Sequence, residues 1–294
     1  MPYRLRKNEP VAKGVKRLAA DEIDYARGQL AQKDGAPKAI HEARKSVKKT
    51  RALLCLAGYG GEDKRLRNIG RALSEVRDAA VMIEVFDALV EKQQPIIGKE
   101  RLAGIRRGLV ESMRSVDSGK AVASALAALE AARQRLDRWP IENAFADGLE
   151  TTYRRGRKML RRARKRGHAQ SYHDFRKRVK EHWYHMRLVG PLDSRTASLK
   201  DLESWLGEHH NLAVLQERLE KNPESSGDRE AIEIFLALAA AEQRKLAQDS
   251  IALGRRLYQQ KPKQFVHGLT PRRLTPKKQP AKASRPAAVT ERSA

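Results

Sequence analysis

The chain has 294 residues, 40% of them hydrophobic, and its 61 lysines and arginines against 36 acidic residues give a net charge of +25 at pH 7. This length and apolar content suffice for a buried core, whereas the longest apolar stretch, 231–241, is too short to span a bilayer. One cysteine, Cys55, excludes an internal disulfide and a cysteine-rich zinc site, and the charge indicates a polyanionic partner such as nucleic acid, anionic lipid or phosphate polymer.

Apolar residues recur every three or four positions along most of the chain, which predicts an all-α fold. The first residues, MPYRLRKNEP, contain no apolar signal core, so we expect a cytoplasmic protein. Gly35 and Pro37 separate the first two helices, and Trp139-Pro140 breaks the chain near its middle. In chain order, the predicted helices are 11–33, 38–57, 64–92, 98–116, 119–138, 142–166, 170–189, 196–220 and 227–259.

The C-terminal segment differs in composition from the rest of the chain. Its 34 residues, Lys261–Ala294, contain nine basic residues, one acidic residue and five prolines, which is typical of a flexible tail beyond about Phe265. Without this segment, residues 1–260 still have 52 basic and 35 acidic side chains, a net charge of +17. The folded part is therefore basic in its own right.

Two parts of the chain repeat each other at an offset of 132 residues. Residues 31–54 and 163–186 are identical at eight of 24 aligned positions, where composition alone would give about one or two. A second pair of segments, 73–81 and 206–214, is similar at an offset of 133 residues, one more than the offset of the first pair. The repeat predicts two helical halves with a boundary near 139–141.

Both copies of the repeat place cations along one helical face, because residues spaced i, i+3, i+4 and i+7 lie side by side. We name these two sets the stripes. The first stripe is His41, Arg44, Lys45, Lys48 and Arg51, and the second is His173, Arg176, Lys177 and Lys180. A single run of basic residues is usually only a solvated helical face. Because the same run recurs in the second half, we favour a binding face, on which a bound anion relieves the repulsion among the cations.

A further basic element, which we name the ridge, lies at 153–165 with the sequence YRRGRKMLRRARK. Its cations step by three and four residues, and its candidate binding residues are Arg154, Arg157, Lys158 and Arg161. The corresponding first-half segment is acidic instead, with Asp21, Glu22 and Asp24. The ridge also fits a nucleic-acid-binding arm acting with the C-terminal tail, and that alternative stays open.

The residue types of the stripes suit repeated phosphate groups. Guanidinium groups bind phosphate oxygens through two parallel hydrogen bonds, lysines supply mobile charges, and histidine donates or gains charge near neutral pH. Aromatic residues make up 5% of the chain and none interleaves the first stripe, which argues against base stacking. No acid–base pair, nucleophile or carboxylate cluster accompanies the stripes, so we expect neither catalysis nor a metal or other cofactor.

The pattern resembles the CHAD family, the conserved histidine α-helical domain. The resemblance covers about residues 3–266. It rests on His41-x-x-Arg44-Lys45-x-x-Lys48-x-x-Arg51, on His173-x-x-Arg176-Lys177-x-x-Lys180, and on the later segments with Arg77-Asp78-x-x-Val81 and Asn211-x-x-Val214.

This resemblance implies two tandem four-helix bundles, about 3–139 and 141–266, related by a pseudo-twofold axis around a basic central groove or pore. It further implies non-enzymatic binding of inorganic polyphosphate through the stripes and the ridge, and association with polyphosphate granules. Residues 1–266 would form the domain and 267–294 a basic tail. Trp183 stands where the first stripe has Arg51, so the second stripe is expected to be shorter.

Overall fold

The computed structural model describes residues 3–6, 8–32, 36–93, 99–114, 119–142, 144–189, 193–223 and 228–269. These residues form α-helices, joined by turns and one 3₁₀ helix at Leu136–Arg138, and contain no strand. The helices are α1 (Val11–Gln32), α2 (Pro37–Leu56), α3 (Asp63–Ala72), α4 (Ser74–Gln93), α5 (Lys99–Arg114), α6 (Gly119–Arg135), α7 (Phe145–Arg166), α8 (Ala169–Val189), α9 (Ser194–Lys221), α10 (Arg229–Leu257) and α11 (Pro262–Gly268).

The all-α prediction is confirmed, and each predicted segment is helical to within a few residues. The break at Trp139-Pro140 is also confirmed, because α7 begins only at Phe145. Among the described helices, none combines the length and hydropathy needed to cross a membrane. The predicted tail lies outside the described residues from 270 onward.

Two helical boundaries differ from the sequence prediction. The segment 64–92 is two helices, α3 and α4, separated at Leu73. Beside this break, the carbonyl oxygen of Gly70 accepts hydrogen bonds from the hydroxyl of Ser74 at 3.1 Å and from Nη1 of Arg44 at 2.5 Å. Because one of these donors comes from α2, local sequence could not reveal the break. In addition, α11 forms where the tail was expected to begin, with Phe265 buried.

Two hydrophobic cores hold the helices together, and each draws on both halves of the sequence. The larger core joins α1, α2, α3 and α6 to α7, α8, the start of α9, the end of α10 and α11. The smaller core packs α4 and α5 against the end of α9 and the start of α10, with Phe86 stacked on Phe235 at 5.0 Å between ring centroids. The boundary near 139–141 thus does not divide the cores, and the pseudo-twofold arrangement of two bundles stays a prediction.

Four helices close a ring around which the candidate site is built. Helix α2 contacts α8 and α4, and α9 contacts the same two helices. Helix α8 is surrounded by α2, α7 and α9, and the buried residues of its last turns occupy nearly every face. These residues are Tyr184, His185, Met186, Leu188 and Val189. The helices that carry the two stripes are therefore fixed by packing rather than by charge.

Gly148 of α7 offers a test of this packing, because a Cβ atom there would overlap the carbonyl oxygen of Leu56 at the end of α2. We expect Gly148→Ala to lower the free energy of unfolding by about 1–3 kcal/mol, since backbone cannot move aside as a flexible side chain would. Gly28 of α1 has open space around it, so Gly28→Ala is expected to raise the same quantity by about 0.5–1 kcal/mol. Urea unfolding measures the free energy of unfolding of both variants. Equal changes in the two variants would contradict the close approach of α2 and α7.

Candidate functional site

The two stripes, which are 132 residues apart in sequence, stand on neighbouring helices. Nε2 of His185 on α8 donates a hydrogen bond to the carbonyl oxygen of Ala52 on α2 at 2.8 Å, which joins the helices beside the stripes. Lys48 of the first stripe lies close enough to His173 of the second to contribute to lowering its pKa. The structure therefore brings the stripes together, and we name them jointly the stripe surface.

Arg44 is held by the break between α3 and α4. Its Nη1 donates hydrogen bonds to the carbonyl oxygen of Gly70 at 2.5 Å and to the hydroxyl of Ser74 at 2.6 Å. These two acceptors orient the guanidinium group. The helix break thus fixes one cation of the first stripe.

Arg176 is held at the matching place in the second half. The repeat aligns Gly207 with Ser74, and Arg176 lies directly over Gly207, where an added Cβ would be 3.1 Å from Nη2. Nη2 of Arg176 also donates to Oε1 of Glu203 at 3.3 Å. Both arginines therefore contact a small residue at the equivalent position of a later helix, Ser74 on α4 or Gly207 on α9, although their described hydrogen-bond acceptors differ.

Glu203 of α9 connects three cations of the site. Its buried carboxylate accepts hydrogen bonds from Lys180 at 2.7 Å and from Lys200 at 3.1 Å, besides the one from Arg176. Burial by itself raises the pKa of Glu203, but the charges of Lys180, Arg176 and Lys200 outweigh it and lower the pKa to about 2. One ionised carboxylate thus organises three positive groups and leaves the cluster positively charged.

His173 lies against His210 of α9, with ring centroids 3.7 Å apart and planes 31° apart. Burial, followed by the charges of Lys177, Arg176 and Lys48, lowers the pKa of His173 to about 4, although Asp174 acts in the opposite direction. The ring is therefore neutral at pH 7. A neutral imidazole surrounded by cations can donate a hydrogen bond to an anion without adding to the repulsion.

Lys45, Lys177 and Arg51 of the stripes form ion pairs near the surface. Lys45 pairs with Glu42, and Lys177 pairs with Asp174 at 3.2 Å, each with its neighbour three residues away. Arg51 binds Asp63 at 2.8 Å, while His41 is exposed. Pairs this exposed contribute about 0–1 kcal/mol, so phosphate oxygens could replace the acidic partners at little cost.

The ridge occupies the outer face of α7. Leu149, Tyr153 and Leu160 are buried on the inner face, where Tyr153 stacks on Phe265 with ring centroids 4.1 Å apart. The opposite face carries the predicted ridge residues: Arg154, Lys158 and Arg161 are exposed and Arg157 is half-buried. The ridge is therefore a second basic surface on the side of α7 that faces away from its packed neighbours.

Sequence reasoning missed several residues of the site. Glu203, Lys200 and His210 lie on α9, outside the repeated helix, and Ser74 lies at the start of α4. The similarity of 73–81 to 206–214 was the available signal, because it aligns Ser74 with Gly207 and lies on the helices that the arginines contact. The side chains of 75–80, including Arg77 and Asp78, lie outside the described residues.

The CHAD domain family model matches residues 15–220, a range that contains both stripes and the ridge. The chain belongs to the CHAD family. Its fold is similar to the crystal structure of the CHAD domain from the plant Ricinus communis, with a TM-score of 0.64 and 16% identity over 88% of this chain and 95% of that one. It is also similar to PptA from Streptomyces chartreusis, with a TM-score of 0.58 and 15% identity over 86% of this chain and 100% of that one. No curated protein sequence matches this chain.

These comparisons confirm the family resemblance that the two stripes predicted. At 15–16% identity the likeness to the two solved structures concerns the fold. The family match ends at residue 220, within α9, so it contains the stripe-bearing helices α2 and α8 and almost all of α9. The candidate site of this CHAD domain therefore lies inside the region that defines the family.

Buried histidines give this CHAD domain a pH-dependent stability. His182, bonded through Nδ1 to the hydroxyl of Tyr258 at 3.0 Å, and His185 are both fully buried, and burial lowers the pKa of each. The unfolded chain takes up protons at these residues near pH 6.5, where the folded chain does not. Stability is thus expected to fall as the pH decreases from 7 to 5, with a slope that approaches about 1.4 kcal/mol per pH unit for His182, whose pKa is lowered furthest, and a smaller slope for His185.

Urea unfolding at pH 7.5, 6.5 and 5.5 measures this dependence. His182→Gln should lower stability at pH 7.5 and reduce the slope with pH, because one titrating group is removed. Glu203 should contribute little to this slope, because its pKa is about 2 in the folded chain and 4.5 in the unfolded chain, so that it is ionised in both states above pH 5.5. Stability that stays constant or rises on acidification would contradict the neutral burial of these histidines.

Proposed function

We propose that this CHAD protein binds inorganic polyphosphate at the stripe surface without catalysing a reaction on it. The observation that carries the proposal is the meeting of two equivalent cationic stripes on adjoining helices, close enough for Lys48 to contribute to lowering the pKa of His173. A polymer of closely spaced phosphates can contact the cations of both stripes at once. Helices α2, α4, α8 and α9 would flank this polymer.

Preorganisation of the cations favours such binding. Arg176 and Lys180 are already held by Glu203, and Arg44 by Gly70 and Ser74. Long cationic side chains lose rotamer entropy when they are immobilised by a ligand, and groups fixed beforehand lose less. The stripe surface therefore has both the charge and the order that a polyanion site needs.

Phosphate recognition accounts for the site better than base recognition does. Single-stranded nucleic acids are bound largely by stacking of bases on accessible aromatic side chains. Among the large hydrophobic side chains of the described residues, Tyr25 on α1 is the exposed one, at 46%. The rings of His173 and His210 already face each other. The stripe surface thus offers cations and hydrogen-bond donors rather than platforms for bases.

The absence of catalysis is part of the proposal. Phosphoryl transfer generally requires carboxylates that hold magnesium ions. Among the described residues, acidic side chains beside the stripes are instead engaged by the protein's own cations: Glu203 by three of them, Asp174 by Lys177 and Asp63 by Arg51. A binding protein of this kind would associate with polyphosphate granules in the cytoplasm through the affinity of the stripe surface.

Reversing the charge of the two docked arginines tests the site. Arg44→Glu combined with Arg176→Glu is expected to weaken polyphosphate binding by about tenfold or more, because each charge-assisted hydrogen bond contributes about 1.5–3 kcal/mol. The control is Lys277→Glu with Lys278→Glu in the C-terminal tail, which changes the net charge by the same amount. Fluorescence anisotropy with labelled polyphosphate, over a series of salt concentrations, measures both affinities.

A second, milder variant distinguishes weaker binding from loss of the fold. Lys45 and Lys177 occupy equivalent stripe positions with side chains 38% and 48% exposed, so Lys45→Gln with Lys177→Gln should leave the fold intact and still weaken binding. Equal losses of polyphosphate affinity in the stripe variants and the tail variant would contradict the assignment of binding to the stripe surface. Displacement of polyphosphate by duplex DNA at the same phosphate concentration would instead favour nucleic acid as the ligand.

The proposed lack of enzymatic activity has its own test. Incubation of the protein with polyphosphate and Mg²⁺ should leave the chain length unchanged and release no phosphate, because the nearby carboxylates are occupied by cations. Gel electrophoresis of the polymer and a phosphate assay measure the two outcomes. Phosphate release that is lost in the Glu203→Gln variant would contradict the proposal and indicate a catalytic carboxylate.

A further inference from the structure

The ridge carries more positive charge than the stability of α7 explains. Eight of the thirteen residues at 153–165 are lysine or arginine, and none is acidic. Basic residues in the last turn of a helix interact favourably with its dipole, which accounts for Arg164 and Lys165. Arg154 and Lys158 lie two to three turns earlier, where like charges at three- and four-residue spacing destabilise an exposed helix, and the long ion pair of Arg154 with Glu150, at 3.8 Å, offsets little of this repulsion. Their repulsion indicates an external anion.

The ridge and the stripe surface lie on different faces of one packed unit. Helix α7 packs closely on α10, because a Cβ at Gly156 would overlap the ring of Tyr258, and one at Gly254 would be 3.0 Å from Leu160. The ridge lies on the opposite face of α7, whereas the second stripe faces α9 through Glu203 and Gly207. A polymer bound along the stripes therefore leaves the ridge accessible.

The ridge is present in one half only. Its counterpart in α1 is acidic, and Glu22 there binds Lys49 of α2 at 2.8 Å. Asp24 is engaged in the same way by Arg133 of α6 at 3.1 Å. The first-half helix thus uses this position for contacts within the protein, whereas the second-half helix presents cations to solvent. Each chain consequently has one stripe surface and one ridge.

We propose that the ridge binds a second strand of inorganic polyphosphate, so that one protein molecule bridges two polymer chains. This inference rests on the proposed function of the stripe surface. The ridge has no asparagine or glutamine, and its aromatic residue, Tyr153, is buried, so the ridge recognises phosphate rather than bases. Two faces with the same ligand chemistry on one molecule cross-link a long polyanion.

A bridging assay tests this second surface. Biotinylated polyphosphate is immobilised on streptavidin beads, the full-length protein is added, and fluorescent polyphosphate that carries no biotin is then supplied. Retained fluorescence reports the second chain, while anisotropy with the same fluorescent polymer in free solution reports binding of a single chain. The wild-type protein is expected to retain the fluorescent chain.

Neutralising the ridge should abolish bridging while binding of a single chain persists. The variant Arg154→Gln, Lys158→Gln, Arg161→Gln removes three exposed charges. Its control, Arg107→Gln, Arg244→Gln, Lys245→Gln, removes three exposed charges from α5 and α10. Retained fluorescence should fall by about tenfold or more in the ridge variant, whose single-chain affinity should stay within about threefold of the control. Circular dichroism verifies that both variants fold.

The outcomes separate the two proposals. If the wild-type protein binds no polyphosphate at all, the proposed function and the bridging both fail. If it binds one chain but retains no second chain, bridging alone fails. Retention that survives ridge neutralisation would assign bridging to another surface, such as the C-terminal tail or an oligomer interface, and would overturn the role of the ridge. Preferential retention of fluorescent duplex DNA would overturn polyphosphate as the second ligand.

Discussion

The candidate site depends on holding like charges close together. The contact between α2 and α8 sets this proximity, since His185 donates to the backbone of Ala52 and Lys48 contributes to lowering the pKa of His173. The repulsion is opposed by apolar packing, because the stripe-bearing helices also contribute buried residues such as Val47 to the larger core. The fold thus maintains a positive surface that attracts anions.

The two halves position equivalent arginines by different means. In the first half a helix break offers Arg44 the carbonyl of Gly70, whereas in the second half α9 is continuous and offers Arg176 the carboxylate of Glu203. The shared carboxylate of Glu203 orders three side chains at once. The repeat therefore preserves the placement of the two arginines, although the described groups that hold them differ.

The stripe surface and the ridge have similar compositions but different environments. In the stripe surface, Arg44, Arg176 and Lys180 are half-buried and already hydrogen-bonded, which suits an ordered contact with individual phosphates. Ridge cations are mostly exposed and separated from the core by the width of a helix, so their interaction with a polyanion is governed by charge density and weakened by salt. Surroundings, rather than residue types, distinguish an ordered site from an electrostatic one.

The sequence by itself determined the helices, both stripes and the family, because helical spacing is local and places His41, Arg44 and Lys48 on one face wherever the helix lies. Tertiary structure decided which cations meet and what holds them. The roles of Glu203 and Lys200, and the interruption of 64–92 at Leu73, depend on contacts between helices that are distant in sequence. The periodicity of apolar and charged residues does not reveal such contacts, since it describes each helix alone and not the neighbour against which the helix packs.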